Sequence, residues 1–115
     1  MYKLCRIDIS RSEKLHERIK QFVSKITSGH SIKRIYLFGS VARDDFNEGS
    51  DIDLAIIGDF KEQFLDRGDS FIEMTDLPIE PLCYTEEEFE DMQNIHSPFI
   101  KEILKGKILF SSEVV

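Results

Sequence analysis

A mixed β-sheet flanked by helices, in one α/β (α+β) domain over residues 1–115, is the architecture this sequence predicts. Three observations lead to it. An early stretch repeats apolar residues at helical spacing, with Leu15, Ile19, Phe22, Val23 and Ile26 on one stripe. Two apolar runs of strand length, Ile35-Tyr36-Leu37-Phe38 and Leu54-Ala55-Ile56-Ile57, are each followed or preceded by a small-residue or polar turn. Helix starts and stops then alternate with further strand-like runs, the mixture that packs helices on a sheet. A chain of 115 residues with 41% apolar content has room for one core, and no linker, repeat or low-complexity segment divides it.

Taken in order, residues 3–9 read as a short strand or an irregular lead-in. Ser10 with Glu13 three positions on forms a capping-box pattern for the first helix, which Gly29 stops. A strand follows over 32–38. Gly39-Ser40 turns the chain into a short helix around Val41-Ala42-Arg43, and the polar loop 44–50 returns it to a second strand, 51–57, ended by Gly58-Asp59. A helix is expected within 61–75, where Phe64, Leu65, Phe71, Ile72 and Met74 supply apolar contacts and Gly68 interrupts. The third strand, 78–84, carries Pro78 and Pro81; proline lacks an N–H, which places this strand at an edge or at a bulge. Thr85 before Glu86-Glu87-Glu88 is a helix start, since the N-terminal dipole favours acids. A last helix runs from Pro98 to Lys105 with Gly106 beyond it, and Ile108-Leu109-Phe110 closes as a short strand.

Composition narrows the function. A net charge of −7 argues against a protein that grips extended nucleic acid by its phosphates, which takes clustered Lys and Arg. No apolar run reaches the roughly 20 residues of a membrane span, and Met1-Tyr2-Lys3-Leu4-Cys5-Arg6 has no signal-peptide character, so a cytoplasmic location is the expectation. Cys5 and Cys83 match no zinc spacing and read as small core residues. His16, His30 and His96 form no ligand set, the acids of 86–91 read as a solvated helix start, and Phe60, Phe64 and Phe71 as core or interface.

The chemistry concentrates between the first two strands. Asp51 and Asp53, two positions apart on a strand, point to one face. Gly39-Ser40, at the start of a short helix, offers backbone N–H groups to a phosphate. Lys33-Arg34 and Arg43 flank that turn. Paired acids beside a phosphate cradle suit a Mg²⁺-dependent nucleotide enzyme, because the metal bridges carboxylate and phosphate oxygens. Taken bare, the same acids read as solvated strand residues, Arg43 as a salt-bridge partner of Asp44, Asp45 or Glu48, and Ser40 as a helix cap.

The spaced pattern Leu37-Phe38-Gly39-Ser40-Val41-Ala42-Arg43 and Ser50-Asp51-Ile52-Asp53-Leu54 resembles the signature of the DNA polymerase β-like nucleotidyltransferase superfamily. Within it the chain most resembles the minimal nucleotidyltransferases, with the matching core over about 32–84 and a helical part over about 85–106. One position departs: Asp44 stands where the family commonly has Gly after the Arg. The resemblance implies a third acid on a neighbouring strand. Glu80 is the candidate, because it lies in an apolar strand where an unpaired charge is costly; Asp76, just before that strand, competes with it.

What the resemblance implies is nucleotidyl transfer from ATP. Asp51, Asp53 and Glu80 would be the catalytic and metal-binding acids, holding two Mg²⁺ ions; Gly39, Ser40, Arg43 and Ser50 would bind the nucleotide. Minimal nucleotidyltransferases often partner a helical HEPN protein in a toxin–antitoxin pair and adenylylate it, so a HEPN-type partner and protein AMPylation are the finer expectation. Two alternatives remain open at this stage. One is transfer to a small hydroxylated molecule; the other is an antitoxin that neutralises by binding alone. The C-terminal helices are also compatible with a homo-oligomer.

Overall fold

The computed structural model describes residues 9–46 and 49–112. Its element order is α1 (Ile9–Gly29), β1 (Ile32–Phe38), α2 (Gly39–Ala42), β2 (Ile52–Gly58), a 3₁₀ turn (Phe64–Asp66), α3 (Asp69–Glu73), β3 (Ile79–Tyr84), α4 (Glu86–Asn94), α5 (Pro98–Leu104) and β4 (Lys107–Ser111). The sheet runs β3-β2-β1-β4, with β2 and β3 parallel and the other two pairings antiparallel. The expected mixed sheet with flanking helices is therefore present. The lead-in at 3–8 and Cys5 lie outside the described residues. Ser10 falls inside α1 rather than at its start, because the helix is already formed at Ile9.

Period-two alternation divides the sheet into two faces. Ile35 and Leu37 of β1, with Ile52, Leu54 and Ile56 of β2, pack beneath α1 and α3, where Ile19, Phe22, Val23, Ile26 and Phe71 are buried. Tyr36, Phe38, Ala55, Ile57 and Tyr84 face the other way and meet Phe89 of α4 and Ile100 and Ile103 of α5. Each such side chain, fully buried, contributes on the order of 1.5–3 kcal/mol. The result is a three-layer sandwich of helices, sheet and helices. Among the described residues no helix is long and apolar enough to cross a membrane.

The single helix expected within 61–75 is instead a 3₁₀ turn and the five-residue α3. Gly68 separates them, and a Cβ there would approach Pro81 Cγ to 2.9 Å. The break also carries Arg67, which is 8% exposed. Its Nε donates to Glu62 O (2.8 Å), its Nη1 to Cys83 O (3.1 Å), and the guanidinium forks onto the Glu88 carboxylate at 2.6 and 3.1 Å. A continuous helix has no way to fold this side chain under the edge of the sheet. Glu88 accepts a second bond from Thr85 N–H while Thr85 Oγ1 accepts from Glu88 N–H, the capping box that starts α4. The Arg67 hydrogen bond holds the Glu88 carboxyl below the usual carboxylate range.

Strand β3 lies at an edge, as its prolines require. Within it Cys83 is buried, and burial pushes its thiol up to about 12, in keeping with a core residue.

Candidate active site

The register of the parallel β2–β3 ladder sets Asp53 beside Glu80. Asp51, two positions before Asp53 and just ahead of β2, shares its side of the chain. The three expected acids are thereby brought together on the α4/α5 face, at the end of the strands next to the β1–α2 junction, where Phe38 is the antiparallel partner of Asp53. Asp53 is half-buried; Asp51 and Glu80 are exposed. Asp76, the competing third acid, is drawn to the other side of the molecule, where Arg18 of α1 donates a hydrogen bond to it.

Crowding of like charge shows in the proton affinities. Burial raises the Glu80 carboxyl above the usual range, and the Asp53 charge, a hydrogen bond with Asp51 and the Asp51 charge push it further. Burial and the Asp51 charge raise Asp53, against which the Arg43 guanidinium pulls downward. A side-chain hydrogen bond links Glu80 and Asp51, so the two carboxyls share one small space. The group is thus a set of oxygen ligands that repel one another until a cation or a proton intervenes.

Gly39 explains why Asp53 sits where it does. Its φ is +78°, and a Cβ built on it would lie 2.1 Å from Asp53 Oδ2. Only a residue without a side chain lets the carboxylate lie against the turn. The four-residue α2 follows, with no side-chain cap from Phe38, and Arg43 closes it by donating its backbone N–H to Gly39 O at 3.2 Å. Asp45 N–H donates to Ser40 O at 2.9 Å, which pins the loop back onto the turn.

The departure at Asp44 has a conformational reason. Its φ is +56°, the left-handed residue that ends α2, a position suited to Gly and tolerated by Asp. Its carboxylate meets His16 Nε2 of α1 at 3.3 Å. Among the described residues no carboxylate lies within ion-pair distance of Arg43, so the salt bridge to Asp44 or Asp45 does not form there. Ser50 sits half-buried just ahead of Asp51.

Among the described residues no three His, Cys, Asp or Glu side chains are arranged as a ready-made metal site. Mg²⁺ is ordinarily held by one or two carboxylates with substrate phosphates and water rather than by an all-protein cage. The donor set is hard oxygen throughout, and burial and like charge disfavour the anions of Asp53 and Glu80, so the residues present fit a divalent cation arriving with a polyphosphate.

A cleft of about 380 Å³ opens beside the turn, lined by Gly39, Ala42, Arg43, Glu102, Lys105 and Gly106. Its second wall is the end of α5 and the start of β4. Sequence reasoning assigned no function to Glu102 or Lys105, which stand about sixty positions from the turn and enter the site only through the β1–β4 pairing.

Residues 17–114 match the model of the family described as polymerase beta, nucleotidyltransferase. The chain is 34% identical over 96 residues to a Methanocaldococcus jannaschii protein named "putative protein adenylyltransferase", covering 80% of this chain and 94% of that one. In structure it is similar to a "putative nucleotidyltransferase" from Sulfolobus solfataricus, with TM-score 0.60 and 20% identity over 77% of this chain and 85% of the other. It is also similar to a chain of a toxin–antitoxin crystallised with AMP-PNP, with TM-score 0.58 and 15% identity over 82% of this chain and 74% of the other.

Proposed function

We propose, from the premise that this chain belongs to the polymerase beta nucleotidyltransferase family, that it transfers AMP from ATP to a hydroxyl on a protein. The observation that carries the reading is the meeting of Asp51, Asp53 and Glu80 on one sheet face, with Asp53 lying against Gly39 of the phosphate-binding turn. The relative named for protein adenylyltransferase activity supports a protein as acceptor. A HEPN-type toxin is the partner we propose, on the strength of the resemblance to minimal nucleotidyltransferases. Since the reaction consumes ATP, the cytoplasm is its proposed location.

Asp51 and Asp53 would hold Mg²⁺, with Glu80 completing the site. Bound there, the metal would neutralise phosphate charge and lower the pKa of the acceptor hydroxyl. The rest falls to the chain's own residues. The backbone of Gly39 and Ser40 and the Ser40 hydroxyl bind the β- and γ-phosphates, with Ser50, next to Asp51, as a further nucleotide-binding residue. Arg43 faces the charge that grows on the leaving group, which a planar guanidinium suits. The acceptor oxygen bonds to the α-phosphorus as the bond to the β-phosphate oxygen breaks, and pyrophosphate leaves. The acceptor's proton passes to Glu80, whose affinity for it is raised by desolvation and by the neighbouring Asp53 and Asp51.

The test incubates the purified protein with α-labelled ATP, Mg²⁺ and the product of the neighbouring gene, beside an Asp51→Ala/Asp53→Ala control. Label on the partner, absent from the control, is the expected result. Suppression of the partner by the double variant without any transfer would overturn the reading in favour of a binding antitoxin.

A further inference from the structure

We propose that Lys105 is a nucleotide-binding residue that grips the terminal phosphates from the wall opposite Arg43. The proposal rests on the nucleotidyltransferase reading and adds to it a second cation from outside the strand–turn–strand pattern.

Three observations lead there. First, the cleft and the acids share a neighbour: Gly39 lines the cleft, and a Cβ built on it would lie 2.1 Å from Asp53 Oδ2. Second, its far wall is set by close backbone contact. A Cβ on Gly106 would lie 2.1 Å from Leu37 O and 3.0 Å from Phe38 Cβ, so the α5–β4 turn rests directly on the β1–α2 junction. Gly106 N–H donates to Ile103 O and Lys105 N–H to Lys101 O, which fixes where Lys105 leaves the helix. Third, among the described residues neither Arg43 nor Lys105 has a carboxylate within ion-pair distance, and Arg43 acts on Asp53 only across a longer gap.

Two cations lining one cleft near a trio of acids call for an anion with more than one charged centre. A volume of about 380 Å³ is at the small end for ligand pockets, roughly 300–1,000 Å³. It fits the phosphate tail, not a whole nucleotide together with its acceptor. Lysine suits that place as a mobile point charge able to follow pyrophosphate as it departs. Glu102, on the same wall, opposes the tail and restrains its affinity, which favours release of the product.

The experiment is direct binding of ATP and of AMP, each with Mg²⁺, to the full chain and to Lys105→Gln and Glu102→Gln. Both positions are exposed, and unchanged melting curves establish folding. Lys105→Gln is expected to weaken ATP about tenfold, the scale of one hydrogen bond to a charged group, while AMP is unaffected. Glu102→Gln is expected to tighten ATP a few-fold, and both effects should shrink in high salt. Equal losses for ATP and AMP, or no loss for either, overturn the proposal. Failure of the unsubstituted chain to bind ATP with Mg²⁺ would overturn the parent reading itself, a result separate from either.

Discussion

Gly39→Ala tests most directly whether the turn and the acid act as one unit. The added methyl meets Asp53 Oδ2 at 2.1 Å, and carbon atoms essentially never approach closer than 3.0 Å. The carboxylate must therefore retreat by most of an ångström, on the scale where a 1 Å misplacement costs roughly 100-fold in rate. The backbone adds its own penalty, because φ of +78° costs a residue with a Cβ about 1–2 kcal/mol. A stability-matched control is at hand. A Cβ on Gly58, at the far end of β2, meets Ser31 O at 2.5 Å and touches nothing in the site. Urea unfolding of both variants, with transfer of α-labelled AMP measured where each is fully folded, separates the two effects. Gly39→Ala is expected to lose about 100-fold in transfer and Gly58→Ala to keep its rate. Near-normal transfer by folded Gly39→Ala would show that Asp53 need not lie against the turn, and the reasoning would fall.

Three further outcomes follow from the same geometry. Asp53 and Glu80 hold protons more tightly folded than unfolded, so their contribution to stability is complete below about pH 4 and is lost as pH rises through their raised folded values. Asp53→Asn should then melt higher than the parent at neutral pH in the absence of metal, with the gap closing toward pH 4; a lower melting temperature at neutral pH contradicts the assigned repulsion. Arg67→Ala removes bonds to Glu62 O, Cys83 O and Glu88 at once, and denaturant titration should show a loss of about 2–3 kcal/mol, tempered because Glu88 is partly solvated; a loss under 1 kcal/mol would mean that Arg67 does not clasp the break between the two helical turns. Asp44→Gly should leave AMP transfer within about twofold, while Asp44→Val loses about 1–2 kcal/mol of stability to its positive φ; a large rate change in the glycine variant would place the Asp44 carboxylate in the chemistry.

Much of this site was legible because it is local. Gly39-Ser40 follows β1 and Asp51-Ile52-Asp53 opens its antiparallel neighbour β2, so the short loop between them brings the two together, and period-two alternation sends both acids to one face. Glu80 was also within reach, since an acid in an apolar strand asks for a partner. Pro78 and Pro81 asked for an edge or a bulge, and β3 lies at the edge. What escaped was decided by distant contacts. The segment 61–75 has helical composition throughout, but Gly68 must pass under Pro81 and Arg67 must reach Cys83 O and Glu88, and those demands divide the helix. Lys105 looks like any exposed cation at a helix end until β4 pairs with β1 and carries it to the cleft. The role of Asp44 was ambiguous for a related reason: spacing does not disclose a left-handed φ.

The pairing of β4 with β1 also sets an order of events for a chain leaving the ribosome. β1 and β2 meet across a short connection, and β3 joins them after one crossover, so the three acids can assemble early. Arg34 waits for Ser111 and Leu37 for Lys107, contacts of long sequence separation that form slowly. Until they do, the nascent domain presents its carboxylates with only half a cleft and with the outer edge of β1 unpaired. The second wall of the cleft therefore depends on β4, whose pairing with β1 spans about seventy residues of chain.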